Sequence, residues 1–253
     1  MAKISKLFKK LKNKISARHG KPQPVDYIRV RRQILNENSS FAVKEAYKTL
    51  RTNVRFSLKH EGCKRISITS SAAGEGKSLT LLNLAISVAE DGNKVLLIDA
   101  DLRRPSQAHL LNKKESPGLS NVLVNMIKVE KAIHKNVYAN LDVLLSGDMP
   151  PNPSELLGSD NMRQLIETLS EQYDYILVDT PPVNVVSDAS IVTSWLDGVL
   201  LLVRQGQSRK DLVKKAVTNL ALTGITPLGF VFNGVELSRN KSYGYYYSYA
   251  KHE

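Results

Sequence analysis

Lys64–Glu90 reads KRISITSSAAGEGKSLTLLNLAISVAE, and its three parts decide the architecture. KRISITS carries β-branched residues at alternate positions, as a strand does. LTLLNLAISVAE is rich in helix formers and ends at Asp91-Gly92, a natural helix stop. Between them lies SAAGEGKS, residues 71–78. A glycine-rich loop between a strand and a helix N-terminus lets successive backbone N–H groups wrap a phosphate, and the helix end adds positive potential. Gly74 and Gly76 permit the backbone conformations and close approach that wrapping needs. Lys77 can reach the β- and γ-phosphates, and Ser78 can offer its hydroxyl to Mg²⁺. Ala73, Gly74, Glu75, Gly76, Lys77, Ser78 and Leu79 are therefore the candidate nucleotide ligands. The loop departs from the pattern GxxxxGK[ST] at one point: Ser71 stands where the first glycine belongs. A lone GK[ST] could mark a merely flexible connection; the strand before it and the helix after it favour ATP.

Outward from this unit the chain alternates strand and helix. Further strands are expected at 94–99, 141–145, 174–179, 198–204 and 227–232, several of them near-continuous apolar runs suited to burial on both faces. The fold expected is α/β: a P-loop NTPase-like, doubly wound, mostly parallel sheet with helices on both faces. Helix starts are expected at Asn152-Pro153 and at Ser208, where Asp211 completes a variant capping box. A helix is expected over 41–58, with Val43, Ala46, Tyr47, Leu50, Val54 and Leu58 on one side. Two strands end in acid: LLIDADLRRP supplies Asp99, Asp101 and Arg103, and YILVDTPP supplies Asp179. Ligands of open parallel sheets sit at the carboxyl ends of strands, beside the loop. Asp179 suits holding Mg²⁺, directly or through water. Any one of these carboxylates could instead cap the next helix; three beside one loop favour a site.

The formal net charge of +12 is unevenly placed. Residues 1–32 hold eleven lysines and arginines against one acid, while the other 221 residues hold 25 basic and 23 acidic side chains. A basic isoelectric point therefore gives no reason to expect nucleic acid as a partner of the domain. In MAKISKLFKKLKNKIS, residues 1–16, Ile4, Leu7, Phe8, Leu11 and Ile15 line one helical face opposite the lysines. Such a face suits an anionic membrane surface, and a solvated tail and nucleic-acid contact are the alternatives. No secretory signal is expected, and runs such as Gly198–Val203 fall far short of the ~20 residues that span a bilayer. The single cysteine, Cys63, excludes an internal disulfide and a multi-cysteine metal site, which suits a reducing compartment. The five histidines lack metal-ligand spacing. The expected organisation is a basic segment and linker over 1–39, a nucleotide-binding domain over 40–235, and a tail over 236–253. The tail holds Tyr243, Tyr245, Tyr246, Tyr247 and Tyr249, with almost no aliphatic residue to build a core strand.

SAAGEGKS, LLIDADLRRP, ILVDTPP, SGDMPPNPSELL (146–157) and the tyrosine tail together resemble the bacterial tyrosine kinases of capsule and exopolysaccharide synthesis, from about Ser39 to the C-terminus. The layout is similar to their split Gram-positive form, in which kinase and membrane-spanning activator are separate proteins. The resemblance implies a peripheral location at the inner face of the cell membrane, ATP and Mg²⁺ as cofactors, a transmembrane activator and a cognate tyrosine phosphatase. It also implies that the tail tyrosines are phosphorylated by the chain itself, in trans within a ring. Glu45, Lys48 and Arg51 match the family's E-x-x-R-x-x-R oligomerisation motif, with lysine for the first arginine. Lysine keeps the charge but lacks the planar fork.

The roles implied are charge neutralisation by Lys77, cation binding by Ser78, Asp101 and Asp179, and proton acceptance by Asp99, whose role and that of Asp101 can be exchanged. Arg103 stabilises charge or fixes the loop, and Asn233 contacts the adenine base. From Glu236 to Tyr249 the chain can extend roughly 45 Å, enough to enter a neighbour's site. Two rivals stand beside this reading. A partitioning or division-site ATPase carries a signature lysine five residues before the loop lysine, and Ala72 occupies that position. A nucleotide-binding scaffold with a docking tail is the non-enzymatic rival.

Overall fold

The structure, a computed structural model, describes residues 26–235. The amphipathic reading of residues 1–16 and the tyrosine cluster lie outside the described residues. The strands are β1 (Lys64–Ser70), β2 (Val95–Asp99), β3 (Ile133–Tyr138), β4 (Leu141–Leu144), β5 (Tyr175–Asp179), β6 (Gly198–Arg204) and β7 (Gly229–Asn233). They form one sheet in the order β3-β4-β2-β5-β1-β6-β7, parallel throughout except for the β3–β4 pair. The helices are α1 (Tyr27–Arg31), α2 (Phe41–Ser57), α3 (Lys77–Glu90), α4 (Gln107–Leu111), α5 (Leu119–Leu123), α6 (Val129–Ala132), α7 (Pro153–Leu157), α8 (Asp160–Ser170), α9 (Asp188–Thr193) and α10 (Lys210–Leu222).

Strand parity sorts the core into two faces. Ile66, Ile68, Val95, Leu97, Leu177, Leu200 and Leu202 pack against α3 and, beyond it, Val54 of α2. Leu96, Ile98, Ile176 and Val178 meet Met162, Leu165, Ile166 and Leu169 of α8, while Val199 and Leu201 meet Ala216 and Leu220 of α10. Helix α3 is apolar nearly all round because it lies between the sheet and α2. The expected stripe on α2 holds at Tyr47, Leu50 and Val54, but Val43 is exposed.

Three local expectations are corrected. β3 was not expected: IHKNVY is polar in its middle, as an antiparallel edge strand open to solvent allows. Ser208 does not cap α10; its hydroxyl donates to Glu75, and Arg209 is the residue at the helix start. Residues 26–35, expected as linker, instead form α1 and a strap whose Ile34 and Leu35 are buried.

Asn83 of α3 fastens that strap. Its Oδ1 accepts from Leu35 N at 2.8 Å, and its Nδ2 donates to Gln33 O at 3.0 Å and to Tyr47 Oη at 3.1 Å. One buried amide thus joins the strap, α2 and the helix that follows the loop. Asn83→Ala is expected to cost about 2–4 kcal/mol, because it strands the buried Leu35 N–H and loses the bonds to Gln33 O and Tyr47 Oη. Urea unfolding measures this directly, and an unchanged midpoint would refute the clamp.

Candidate active site

Register delivers the site. Asp179, the last residue of β5, pairs with Ile68 of β1 on one side and with Asp99 of β2 on the other. Neighbouring strands lie about 4.8 Å apart, so both acidic strand ends arrive beside the loop that leaves β1. Asp99, Asp101 and Asp179 are all buried. The Lys77 ammonium enters this cluster, 3.3 Å from Asp101 Oδ2 and 3.7 Å from Asp179 Oδ1. Burial pulls the Lys77 pKa down, but Asp179, Asp101 and Asp99 pull it up further, so the ammonium stays charged.

The loop is held from within. Gly74 and Gly76 have φ of +79° and +97°, a region closed to most side chains, and a Cβ on Gly76 would collide with the Asn233 amide. The Glu75 side chain turns inward. Its buried carboxylate accepts from Ser71 N at 3.0 Å, Ser71 Oγ at 2.8 Å, Ala72 N at 3.3 Å and Ser208 Oγ at 2.5 Å. Ser71 in place of glycine is thereby explained: its hydroxyl has a partner, and its φ is not positive. Asn184 donates to Ser71 O, Arg204 and Gln207 to Gly74 O, and Asn233 to Glu75 O. These polar residues of strand ends and separate loops carry no periodic or motif signal, and sequence reasoning missed all but Asn233.

Asp99 is occupied. Oδ1 accepts from Asp101 N at 3.2 Å, and Oδ2 accepts from Ser106 N at 3.1 Å and Gln107 N at 3.0 Å, where α4 begins. The helix-capping alternative therefore describes its hydrogen bonding. Burial and the adjacent Asp179 push its pKa up to about 8, although the Gln107 N–H opposes them. Burial also raises the Asp179 pKa, against the pull of Lys77. Asp101 is held differently: Arg104 N donates to Oδ1, and Oδ2 faces Lys77. Arg103 points away from this cluster. Its guanidinium binds the buried Asp188 at 2.8 and 3.2 Å and Ser154 at 2.9 Å, which ties the loop after β2 to α9 and α7. Of the two roles expected for Arg103, the geometry matches fixing the loop.

Asp179 Oδ1 is buried without a hydrogen-bond partner, and Ser78, at the start of α3, lies beside the same carboxylate. An orphaned carboxylate oxygen next to a hydroxyl fits a hard divalent cation. Among the described residues no three His, Cys, Asp or Glu side chains form a protein-only metal cage. In phosphate sites Mg²⁺ usually takes one or two protein ligands, with phosphate oxygens and waters completing its shell.

Glu45, Lys48 and Arg51 lie on α2, away from this cluster. Glu45 pairs with its own Lys48 at 2.7 Å, and Arg51 turns inward to Ser87 O at 2.6 Å and Asp91 at 3.2 Å.

The family model described as "AAA domain" matches residues 63–224. The tyrosine-protein kinase YwqD of Bacillus subtilis is 42% identical over 202 residues, which cover 80% of this chain and 85% of the relative. Among solved structures, the chimerical protein CapA2B2 superposes with a TM-score of 0.75 at 37% identity, covering 79% of this chain and 88% of its own. The kinase domain of the Escherichia coli tyrosine kinase ETK gives a TM-score of 0.75 at 33% identity, over 87% and 86% of the two chains.

Proposed function

Because the chain belongs to the bacterial tyrosine-protein kinase family, we propose that it transfers the γ-phosphoryl group of ATP to tyrosines of its own C-terminal cluster, in trans, and thereby regulates capsule or exopolysaccharide synthesis. The observation that carries this reading is Lys77 held among Asp101, Asp179 and Asp99 at the mouth of a phosphate-binding loop.

When ATP enters, the free N–H groups at the start of α3 and the loop amides bind its phosphates, and Lys77 swings from the carboxylates to the β- and γ-oxygens. Ser78 and Asp179 would hold Mg²⁺, with Asp101 reached through water. The cation supplies charge neutralisation across the phosphate oxygens. A tyrosine Oη attacks the γ-phosphorus, the bond to the leaving ADP oxygen breaks, and the phenolic proton passes to a carboxylate. We assign that acceptor to Asp101 rather than Asp99. Both Asp99 oxygens are taken by backbone N–H groups, whereas Asp101 Oδ2 faces only Lys77, which departs when ATP binds. Asp99 then fixes the loop and α4. Contact of Asn233 with the adenine base remains part of the proposal, and its amide is bonded to Glu75 O of the loop.

Among the described residues no helix is long and apolar enough to cross a membrane. A separate membrane activator, attachment of residues 1–16 to anionic lipid, a ring built through α2 and a cognate phosphatase complete the proposal. Incubation with labelled ATP, Mg²⁺ and the activator's cytoplasmic peptide tests its centre. Phosphotyrosine is expected within residues 243–249, absent from the Lys77→Met control. ATP hydrolysis with no phosphotyrosine would turn the reading to an ATPase switch, and nucleotide binding alone to a scaffold.

A further inference from the structure

Gln107 opens α4 and is fully buried. Three parts of the site meet on it. Its backbone N–H donates to Asp99 Oδ2 at 3.0 Å. Its side-chain Nε2 donates to Ser78 O and to Asp179 Oδ2, each at 3.0 Å. Its Oε1 is buried with no hydrogen-bond partner. The amide orientation follows from the chemistry of its neighbours: turned over, Oε1 would face a carbonyl and a carboxylate, both acceptors.

Filling this space alone does not call for glutamine. Methionine has nearly the same length and shape but would leave Asp179 Oδ2 without its donor, whereas glutamine keeps its own Oε1 buried and unpaired. The amide is retained at that cost, and both of its donors' partners belong to the cation site.

We propose that Gln107 is a positioning residue that fixes which oxygen of Asp179 is presented to Mg²⁺. Nε2 occupies Oδ2, which leaves Oδ1, the unpartnered oxygen, turned toward Lys77. The same nitrogen holds the first turn of α3 through Ser78 O, so the serine hydroxyl and the carboxylate keep one spacing. The inference rests on the reading of Ser78 and Asp179 as cation ligands.

The experiment measures binding of a fluorescent ADP analogue to the full chain, with Mg²⁺ titrated from zero and in parallel with chelator. Partners that orient a metal ligand change metal affinity by about 10–100-fold when lost. Gln107→Met is expected to raise the half-saturating Mg²⁺ concentration by about tenfold or more, while chelator-state nucleotide affinity changes less than about twofold. Gln107→Asn keeps the amide on a shorter stem, and it is expected to fall between wild type and Gln107→Met. If Gln107→Met fails to fold by circular dichroism, Gln107→Asn decides with the same ratio. An unchanged Mg²⁺ requirement overturns the inference. So does a parallel loss of affinity with and without Mg²⁺, which marks a merely structural residue. A wild-type protein whose nucleotide binding ignores Mg²⁺ would overturn the cation reading itself, and the inference with it.

Discussion

Replacing Lys77 by methionine is expected to lower phosphoryl transfer by about 10³-fold while the protein remains folded. Transfer of a phosphoryl group asks little covalent chemistry of the protein and much neutralisation of charge, so loss of one well-placed donor costs 10²–10³-fold or more. Lys77 is proposed as that donor because it follows Gly76 at the first position of α3 and is already inside the carboxylate cluster. Methionine matches its length and apolar stem, which leaves packing nearly unchanged. The substitution has a second consequence. Removing one partner of a buried ion pair costs about 3–5 kcal/mol when the other stays charged. Here the partner Asp179, whose pKa burial raises and Lys77 holds down, can take up a proton once the ammonium is gone, so the stability loss should fall below that range. Single-turnover transfer and urea unfolding of the same samples separate the two effects. A variant that keeps more than about a tenth of the wild-type rate, against the 10²–10³-fold loss expected for such a donor, would remove Lys77 from the mechanism.

How much of this was legible beforehand depended on periodicity. The strand–loop–helix unit, the parallel core strands and the acidic ends of β2 and β5 all carry patterns of type or spacing, and each was expected within a residue or two of its place. What spacing cannot supply is which hydrogen bonds a polar side chain makes. Ser208 and Asp211 have the spacing of a capping box, yet the Ser208 hydroxyl serves Glu75 from a distant loop. Asp99 and Asp101 are equivalent as letters in DADLRR. Only the path of the chain into α4, whose first N–H groups need an acceptor, tells the capping carboxylate from the one that faces Lys77. Gln107 and Asn184 gave no signal at all, because a bonded amide looks like any other loop residue until its neighbours are known. The strap at 26–35 was hidden by its length: two buried residues, Ile34 and Leu35, are too few to show a period.

The nucleotide-free protein is expected to lose stability as pH rises from about 4 to about 8, and Asp179→Asn is expected to remove much of that loss. Asp99 and Asp179 both have folded-state pKa values raised above the unfolded value of 3.8, by burial first and by their acidic neighbours next. The sign follows. Inside that window the folded chain binds more protons than the unfolded one, so raising the pH favours unfolding. Each proton contributes a slope of at most about 1.4 kcal/mol per pH unit. The upper limit of the window is the Asp99 value of about 8. Because the remaining charges of the chain also titrate, the quantity to measure is the difference between wild type and Asp179→Asn. Asparagine keeps an acceptor for Gln107 and removes one buried charge. The stability difference between pH 5 and pH 8, measured by urea unfolding, should be smaller for the variant than for wild type. Mg²⁺ with an ATP analogue should flatten the wild-type slope as well, since binding supplies the cluster with the positive charge it lacks. Superposable pH profiles for the two proteins would mean that the buried carboxylates are already neutralised without ligand. In that case the site would be organised for its own stability rather than for receiving a charged substrate. The charge imbalance of two raised carboxylates beside one ammonium is what a divalent cation arriving with the nucleotide would relieve.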